Sequence, residues 1–160
     1  MLFHSTAFAV FFIIVFILYI KLPHKLQNRM LLIASYIFYG AWEWKYLALL
    51  FISTLTDYFC GLGVEKSEDS LKKRFVYLSV FINLTLLGIF KYYGFFAENF
   101  QSLMASFGVE THPYFLNIAL PVGISFYTFQ SISYTVDVYR GKLKACNNFL
   151  DFSLYVSFFP

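Results

Sequence analysis

Charged residues are scarce in this chain. They make up 13% of its 160 residues, whereas 59% are hydrophobic and 23% are aromatic. A soluble globular domain usually has about 25% charged residues. This deficit excludes an ordinary soluble domain and indicates a protein of the lipid bilayer. We expect an all-α fold in which residues 1–160 form a single membrane domain, a polytopic transmembrane helical bundle.

Cysteine is also rare, and the two present, Cys60 and Cys146, lie far apart in the sequence. Two distant cysteines supply neither a disulfide framework nor the ligand spacing of a metal site. The chain also lacks a glycine-rich motif that would cradle a phosphate group. The sequence therefore predicts no metal site and no nucleotide-binding loop.

The chain has only three histidines: His4, His24 and His112. Histidine is the commonest general base in enzymes, including those that transfer acyl groups. All three are predicted at a membrane interface or outside the membrane, and none stands at a spacing that would pair it with a carboxylate. We interpret them as solvated or headgroup-level residues and assign no catalytic residue.

The cations are unevenly distributed. Ten of the twelve lie in three short clusters, which are Lys21, Lys25 and Arg29; Lys66, Lys72, Lys73 and Arg74; and Arg140, Lys142 and Lys144. This leaves no basic face with interleaved aromatic side chains, so nucleic acid is not an expected partner. Because cytoplasmic loops carry an excess of lysine and arginine, the clusters predict the cytosolic side of the membrane.

Five apolar runs alternate with these clusters, which predicts about five spans with the N-terminus outside. The predicted spans are about Thr6–Ile20, Leu26–Ala41, Tyr46–Val64, Phe75–Ala97 and Phe115–Val136. No cation precedes the first run and no small-residue cleavage site follows it, so we interpret it as a span and not as a signal peptide. Asn99–Pro113 is predicted to be a polar connection, either on the outer surface or partly re-entrant. Phe149–Phe159 is either an interfacial helix or the start of a sixth crossing.

The fifth run contains unusually many polar and helix-breaking residues. It is uncharged from Tyr114 to Val136, which at about 1.5 Å per residue is long enough to cross a hydrocarbon layer of about 30 Å. Pro121 and Gly123 can break its helix, and Ser125 and Gln130 are expected to lie deepest on its polar face. We interpret that face as either hydrogen-bonded to other helices, the usual arrangement, or lining a path for an acyl group or a sugar.

Asp57 is the acidic residue predicted inside a span. Ser53 and Gly61 share its helical face through i, i+4 spacing. One interpretation is a packing stripe in which Asp57 is tied to a neighbouring helix. The other is a carboxylate that supports a cavity for acyl transfer. We favour a role in helix packing, or indirect support of the cavity wall, over a direct role in the reaction. Asp137 is expected to form a local ion pair with Arg140.

The chain resembles a known family through several motifs. The longest is Leu120–Gln130 (LPVGISFYTFQ), followed by Tyr134 and Asp137–Gly141 (DVYRG). Ala34–Gly40, Thr56–Tyr58 and Phe90–Tyr93 support it upstream. With these motifs the chain is similar to the membrane-bound O-acyltransferase family, specifically its alginate O-acetyltransferase-like branch.

The resemblance implies a function. It implies part of a bacterial inner-membrane enzyme that moves an acetyl or other acyl group to a hydroxyl of an extracytoplasmic polysaccharide or carrier. No covalently bound cofactor is expected; an acyl donor such as acetyl-CoA or a carrier thioester is implied, as is a periplasmic or membrane partner. In the family the catalytic histidine lies beyond the position of Pro160, so we expect this chain alone to be inactive. The alternatives are a fragment of a polytopic transporter, although no inverted repeat is evident, or an inactive truncated membrane protein.

Overall fold

The computed structural model describes residues 5–108 and 121–159, with Lys25 described by its backbone alone. These residues form helices joined by short connections, and no strand occurs among them. The helices are α1 (Thr6–Lys21), α2 (His24–Glu43), the 3-10 helix η1 (Trp44–Tyr46), α3 (Leu47–Lys66), α4 (Asp69–Ser106), α5 (Ile124–Tyr139) and α6 (Phe149–Ser157). The all-helical prediction is confirmed for the described residues.

Two stretches are long and apolar enough to cross a membrane. They are Leu26–Lys66, which combines α2, η1 and α3, and Asp69–Ser106, which is α4. Helix α1 is apolar as well but shorter. The described residues thus contain two candidate membrane-spanning stretches.

Helix α1 lies at the edge of the bundle. It begins after Ser5, whose hydroxyl caps the helix by accepting a hydrogen bond from the Phe8 backbone amide at 3.1 Å. It packs mainly on α2, where the rings of Phe8 and Phe11 lie 5.4 and 6.3 Å from the ring of Phe38. The Phe11 ring also lies 6.3 Å from the ring of Phe159, after α6. Only Val15 is buried along its length. Such an exposed apolar surface is typical of a helix that faces lipid.

Helix α4 is much longer than the predicted fourth span. Its 38 residues extend through Ser106, whereas we expected a polar connection from Asn99 onward. That prediction was wrong as far as Ser106, and residues 109–113 lie outside the described part. The polar side chains of this stretch bond to the helix itself: Asn99 donates to the Phe95 carbonyl and Ser102 to the Glu98 carbonyl.

The centre of the fold is a three-helix core. Helices α3, α4 and α5 pack against one another, while α6 bridges α2 and α3. All of these elements contribute buried side chains to one apolar core, among them Tyr39, Leu50, Val64, Leu87, Ile124, Tyr127, Tyr134, Val138, Phe152 and Val156. Helix α3 therefore lies between the other elements of the core.

Helix α5 begins directly after a tight turn. The Ile124 amide donates to the Pro121 carbonyl at 3.2 Å, and Gly123 adopts φ +77° and ψ −4°. These values are those of the third residue of a type II turn, which requires a positive φ and so favours glycine. The predicted break thus lies at the start of α5, and α5 continues to Tyr139. The first part of the predicted fifth span, residues 115–120, lies outside the described residues.

Candidate functional site

A buried polar cluster joins the three central helices. Asp57 of α3 lies at its centre and is fully buried, with 0% of its surface exposed. The Ser79 hydroxyl donates to Asp57 Oδ1 at 2.5 Å. The Asn83 amide Nδ2 donates to Oδ2 at 2.8 Å and to Oδ1 at 3.0 Å. Both carboxyl oxygens of Asp57 are therefore held by α4.

The cluster continues outward from Asn83 and Ser79. The Ser53 hydroxyl of α3 donates to Asn83 Oδ1 at 2.7 Å. Ser79 Oγ lies 3.3 Å from Thr135 Oγ1 of α5, and Thr135 Oγ1 lies 3.3 Å from the Ser131 carbonyl oxygen. These side chains are all buried. A continuous chain of polar groups thus connects α3, α4 and α5.

The sequence positions explain why these side chains meet. Each helix contributes residues four apart, which lie on one helical face: Ser53, Asp57 and Gly61 on α3, Ser79 and Asn83 on α4, and Ser131 and Thr135 on α5. Small residues let the helices approach closely. An added Cβ at Gly61 would lie only 2.7 Å from Tyr134 Cε1. The predicted tie between Asp57 and a neighbouring helix is confirmed, and its support of a cavity remains a prediction.

No cation neutralises Asp57 among the described residues. The two ion pairs found there are Lys72–Asp69 at 3.0 Å and Lys142–Asp137 at 3.9 Å, both outside this cluster. The second corrects the predicted pair between Asp137 and Arg140. The chain turns back at Gly141, whose φ is +70°, and the Lys142 amide bonds to the Asp137 carbonyl at 3.0 Å. This turn brings Lys142 to the Asp137 carboxylate.

A second polar cluster surrounds the start of α5. Pro121 is buried, and the Tyr39 hydroxyl donates to the Val122 carbonyl at 3.2 Å. Lys91 Nζ donates to Ser125 Oγ at 3.1 Å. The motifs that include Tyr39, Lys91 and Pro121 are far apart in the sequence and meet at this turn.

Ser125 and Gln130 lie on the outer side of α5. We expected them to be the deepest polar residues of this helix, but both are only partly buried. Gln130 Nε2 donates to the Tyr155 carbonyl of α6 at 2.8 Å, an interhelical hydrogen bond. The deep polar face of α5 consists instead of Thr128, Ser131 and Thr135. The expectation was wrong because the core lies on the face opposite to Phe126, which is 69% exposed.

An open groove follows this outer face of α5. Between α5 and α6 the groove has a volume of about 520 Å³, and polar groups alternate there with aromatic rings. This section is lined by Phe126, Gln130, Asp151, Leu154, Tyr155 and Phe158. The groove continues along α5 past Ser125, Phe129 and Ser133. Of the predicted lining residues, Ser125 and Gln130 therefore line this groove. Asp57 and Pro121 are buried and do not line it, and Gly123 forms the turn that precedes α5.

A smaller polar pocket of about 320 Å³ lies where α2 begins. It is lined by His24, Asn28, Arg29, Asn148, Leu150 and Asp151. Asn28 Nδ2 donates to Asp151 Oδ1 at 2.8 Å, and Asn148 Nδ2 donates to Asp151 Oδ2 at 2.7 Å. His24 lines this pocket beside Arg29, whereas His4 and His112 lie outside the described residues. Within the described ranges, no three His, Cys, Asp or Glu side chains group together as metal ligands.

Sequence reasoning did not identify Ser79, Asn83 and Thr135. A signal was nevertheless present. Ser79 and Asn83 are four residues apart within the uncharged run that precedes Lys91, and this is the spacing that would place a pair of polar groups opposite Asp57.

Comparison with known proteins shows similarity over the entire chain. It is 42% identical to the probable alginate O-acetylase of Pseudomonas putida, over an alignment covering 100% of this chain and 33% of that protein. The probable alginate O-acetylase of Azotobacter vinelandii is 40% identical, with 100% and 32% covered. The peptidoglycan O-acetyltransferase of Helicobacter pylori is 34% identical, with 81% and 28% covered.

The chain spans about a third of the length of the relatives it matches. No family model and no solved structure matches it. All of these relatives are named as O-acetylases or O-acetyltransferases. The resemblance to O-acetyltransferases of the membrane-bound O-acyltransferase type, which the motifs indicated, is thus confirmed along the whole chain.

Proposed function

We propose that this chain forms part of a membrane O-acyltransferase that moves an acetyl or other acyl group to a hydroxyl of an extracytoplasmic polysaccharide or carrier. The observation that supports it is the 42% identity to the probable alginate O-acetylase of Pseudomonas putida over the whole chain. Alginate and peptidoglycan are the acceptors in the names of the relatives. A polysaccharide of the cell envelope is accordingly the proposed acceptor class.

The proposed topology has about five crossings of the bacterial inner membrane, with the N-terminus outside and the three cationic clusters in the cytosol. Contacts at one end of the bundle support it. Asn28, near the first cluster, bonds to Asp151, and Tyr58 of α3 donates to the Asn147 carbonyl just after the third cluster at 2.9 Å. At the other end lie the turn before α5 and its partners Tyr39 and Lys91.

We propose that the groove along α5 is one wall of the path for the acyl group or the acceptor. Its polar groups, Ser125, Gln130 and Ser133, lie among large exposed rings. Polar side chains at membrane depth are costly against lipid and are usually found facing protein or a wet cavity. The Asp57 cluster holds α5 from the opposite side and so fixes the position of this wall.

Acyl transfer to a hydroxyl requires a base near the acceptor oxygen and an orientation of both reactants. The described residues supply a wall and its support. His24, the histidine among them, lies at the proposed cytosolic end. An acyl donor such as acetyl-CoA or a carrier thioester, a base from elsewhere in the enzyme and a periplasmic or membrane partner of an O-acetylation system complete the proposal. The purified 160-residue chain is accordingly expected to show no transferase activity.

A chimera tests the proposal. The segment of the Pseudomonas putida protein that aligns with this chain is replaced by these 160 residues, and the chimera is produced in a Pseudomonas putida strain that lacks its own acetylase. We expect the chimera to restore acetyl groups on alginate, measured by acetyl release from the purified polymer.

Two controls make the result interpretable. A chimera that carries a scrambled sequence in place of α5 reports whether the segment is needed, and membrane levels of each protein report expression. Absence of acetylation from a chimera that is present in the membrane at the level of the intact relative would contradict the proposed function.

A further inference from the structure

The polar pocket at the start of α2 contains opposite charges that do not pair with each other. Arg29 and Asp151 both line it, yet the two ion pairs found among the described residues involve neither of them. Two neutral amides hold Asp151 instead: Asn28 Nδ2 donates to its Oδ1 at 2.8 Å, and Asn148 Nδ2 donates to its Oδ2 at 2.7 Å. The carboxylate is therefore fixed in place while the charge of Arg29 stays unbalanced.

The cationic side of the pocket has unused hydrogen-bond donors. Within the part of the chain that the structure describes, neither the Arg29 guanidinium nor the His24 imidazole bonds to another group. The guanidinium has five N–H donors, and the imidazole has a ring N–H whether or not it is charged. His24 also begins α2, where the helix dipole favours a negative charge. These groups together suit a phosphate group.

The carboxylate side of the pocket can take a cation. Each oxygen of Asp151 accepts one amide hydrogen bond and can accept another. A primary ammonium has three N–H donors for such a carboxylate. The pocket has a volume of about 320 Å³, which is room for on the order of ten water molecules. A ligand that bears a negative and a positive group can therefore fit between Arg29 and Asp151.

Apolar surface adjoins this pocket. Asp151 also lines the groove between α5 and α6, together with Tyr155 and Phe158, whose rings are exposed. Leu150, a wall of the pocket itself, is exposed as well. A charged pocket beside exposed aromatic and aliphatic side chains is typical of the level of the lipid headgroups. A ligand with a charged head and an apolar chain matches both surfaces.

We propose that this pocket binds a phospholipid whose headgroup carries a phosphate and a primary ammonium, as in phosphatidylethanolamine. The phosphate bonds to Arg29 and His24, and the ammonium bonds to Asp151. Charge complementarity selects this class, because an anionic headgroup leaves Asp151 without a partner and a choline headgroup has no N–H to donate. The inference goes beyond the proposed transferase function, since lipid binding can be measured whether or not acyl transfer takes place.

Native mass spectrometry of the 160-residue chain in a nonionic detergent tests the pocket. Dioleoylphosphatidylethanolamine is titrated into the protein, and the dioleoyl lipids with choline and glycerol headgroups are titrated separately. We expect the first ethanolamine lipid to bind with a dissociation constant about tenfold lower than that of either other lipid, since one hydrogen bond to a charged group corresponds to about this factor.

Three variants locate the effect. Arg29→Gln removes the guanidinium and is expected to weaken binding of the ethanolamine lipid about tenfold. Asp151→Asn keeps the size of the side chain, removes its charge and is expected to erase the preference for ethanolamine over choline. Arg140→Gln is the matched control, since Arg140 is exposed and does not line the pocket, and it is expected to leave the affinity unchanged.

The thermal unfolding midpoint of each variant is measured alongside, so that weaker binding is distinguished from a damaged fold. Asp151 accepts two hydrogen bonds, and its substitution can lower stability. Arg29 is exposed and makes no bond within the described ranges, so Arg29→Gln is expected to unfold at the same temperature as the unaltered chain. This variant decides the matter even if Asp151→Asn does not fold.

The outcomes separate a headgroup site from other kinds of binding. A preference for the ethanolamine lipid that Arg29→Gln removes and Arg140→Gln retains supports the proposal. Equal dissociation constants for the three lipids would overturn it. So would tighter binding of the glycerol lipid, since that result assigns recognition to positive charge alone. Displacement of the lipid by an equal concentration of glycerophosphoethanolamine, which lacks acyl chains, would also overturn it, because the ligand would then be a soluble phosphate ester.

Discussion

One amide nitrogen, Asn83 Nδ2, donates to both carboxyl oxygens of Asp57, at 2.8 and 3.0 Å, while Asn83 Oδ1 accepts from the Ser53 hydroxyl. Asn83 is thus the link by which α4 holds two positions on α3. Both residues are fully buried, so neither can replace a lost partner with bulk water. A substitution of Asn83 that removes these hydrogen bonds is therefore expected to lower the free energy of unfolding.

Asn83→Ala is expected to destabilise the protein strongly. It leaves the Asp57 carboxyl with fewer donors and the Ser53 hydroxyl without its acceptor, and hydrogen bonds to charged groups contribute about 1.5–3 kcal/mol. We expect a loss of about 2–4 kcal/mol in the free energy of unfolding, measured by denaturant titration in mixed micelles. Asn99→Ala is the matched control: Asn99 is exposed on the same helix and bonds to its own backbone. An equal loss in both variants would contradict the importance of this link.

Gly61→Ala tests the close contact between α3 and α5. A new Cβ there would lie 2.7 Å from Tyr134 Cε1 and 2.9 Å from its hydroxyl oxygen. Overpacking of this kind typically costs about 1–3 kcal/mol, and we expect a lower unfolding midpoint. At Gly88 an added Cβ has no neighbour within 4 Å, so Gly88→Ala is expected to be neutral or stabilising. Should Gly61→Ala be as stable as Gly88→Ala, the helices would not pack this closely.

Gly123→Ala tests the turn at the start of α5. The φ of +77° at this position costs an ordinary L-residue about 1–2 kcal/mol. We expect a lower unfolding midpoint for Gly123→Ala, and a smaller decrease for Gly123→Asn, because asparagine tolerates this conformation better. Ranking the two variants by thermal unfolding checks the prediction, which fails if alanine is tolerated as well as asparagine.

Labelling of single cysteines tests the topology. In a background without the natural cysteines, Lys72→Cys and Lys142→Cys are expected to react with a membrane-impermeant maleimide only after the cells are opened. Lys45→Cys, in η1 at the other end of α3, is expected to react in intact cells. Reaction of Lys72→Cys and Lys142→Cys from opposite sides of the membrane would be incompatible with cytosolic clusters.

The apolar runs predicted the helices well because each run has a clear polar or charged boundary. Helices α1, α2 and α3 begin and end within two residues of the prediction. The length of α4 was underestimated because the residues after Glu98 are a mixture of polar and apolar side chains. The end of the apolar run therefore does not mark the end of the helix. Such a run can continue a helix outside the lipid.

The site was predictable in part. Asp57 could be singled out because a carboxylate in an apolar run is conspicuous. Ser79 and Asn83 could not be assigned as its partners, because neutral polar residues are common in such helices and only the packing of α4 on α3 places them opposite Asp57. The depth of Gln130 was misjudged for a similar reason: the sequence shows that α5 has a polar face but not which of its faces the core covers.

The length of α4 has a consequence for where this protein meets water. At about 1.5 Å per residue its 38 residues measure about 57 Å, nearly twice the thickness of the hydrocarbon layer. To fit entirely within about 30 Å the helix would have to lean by nearly 60°, beyond the range of about 0–40° found for membrane helices. One end must therefore emerge from the lipid tails. The end nearer Ser106 bears large exposed rings, including Phe95, Phe96 and Phe100, whereas the other end begins with Asp69, Lys72 and Lys73, so we expect the charged end to extend into water.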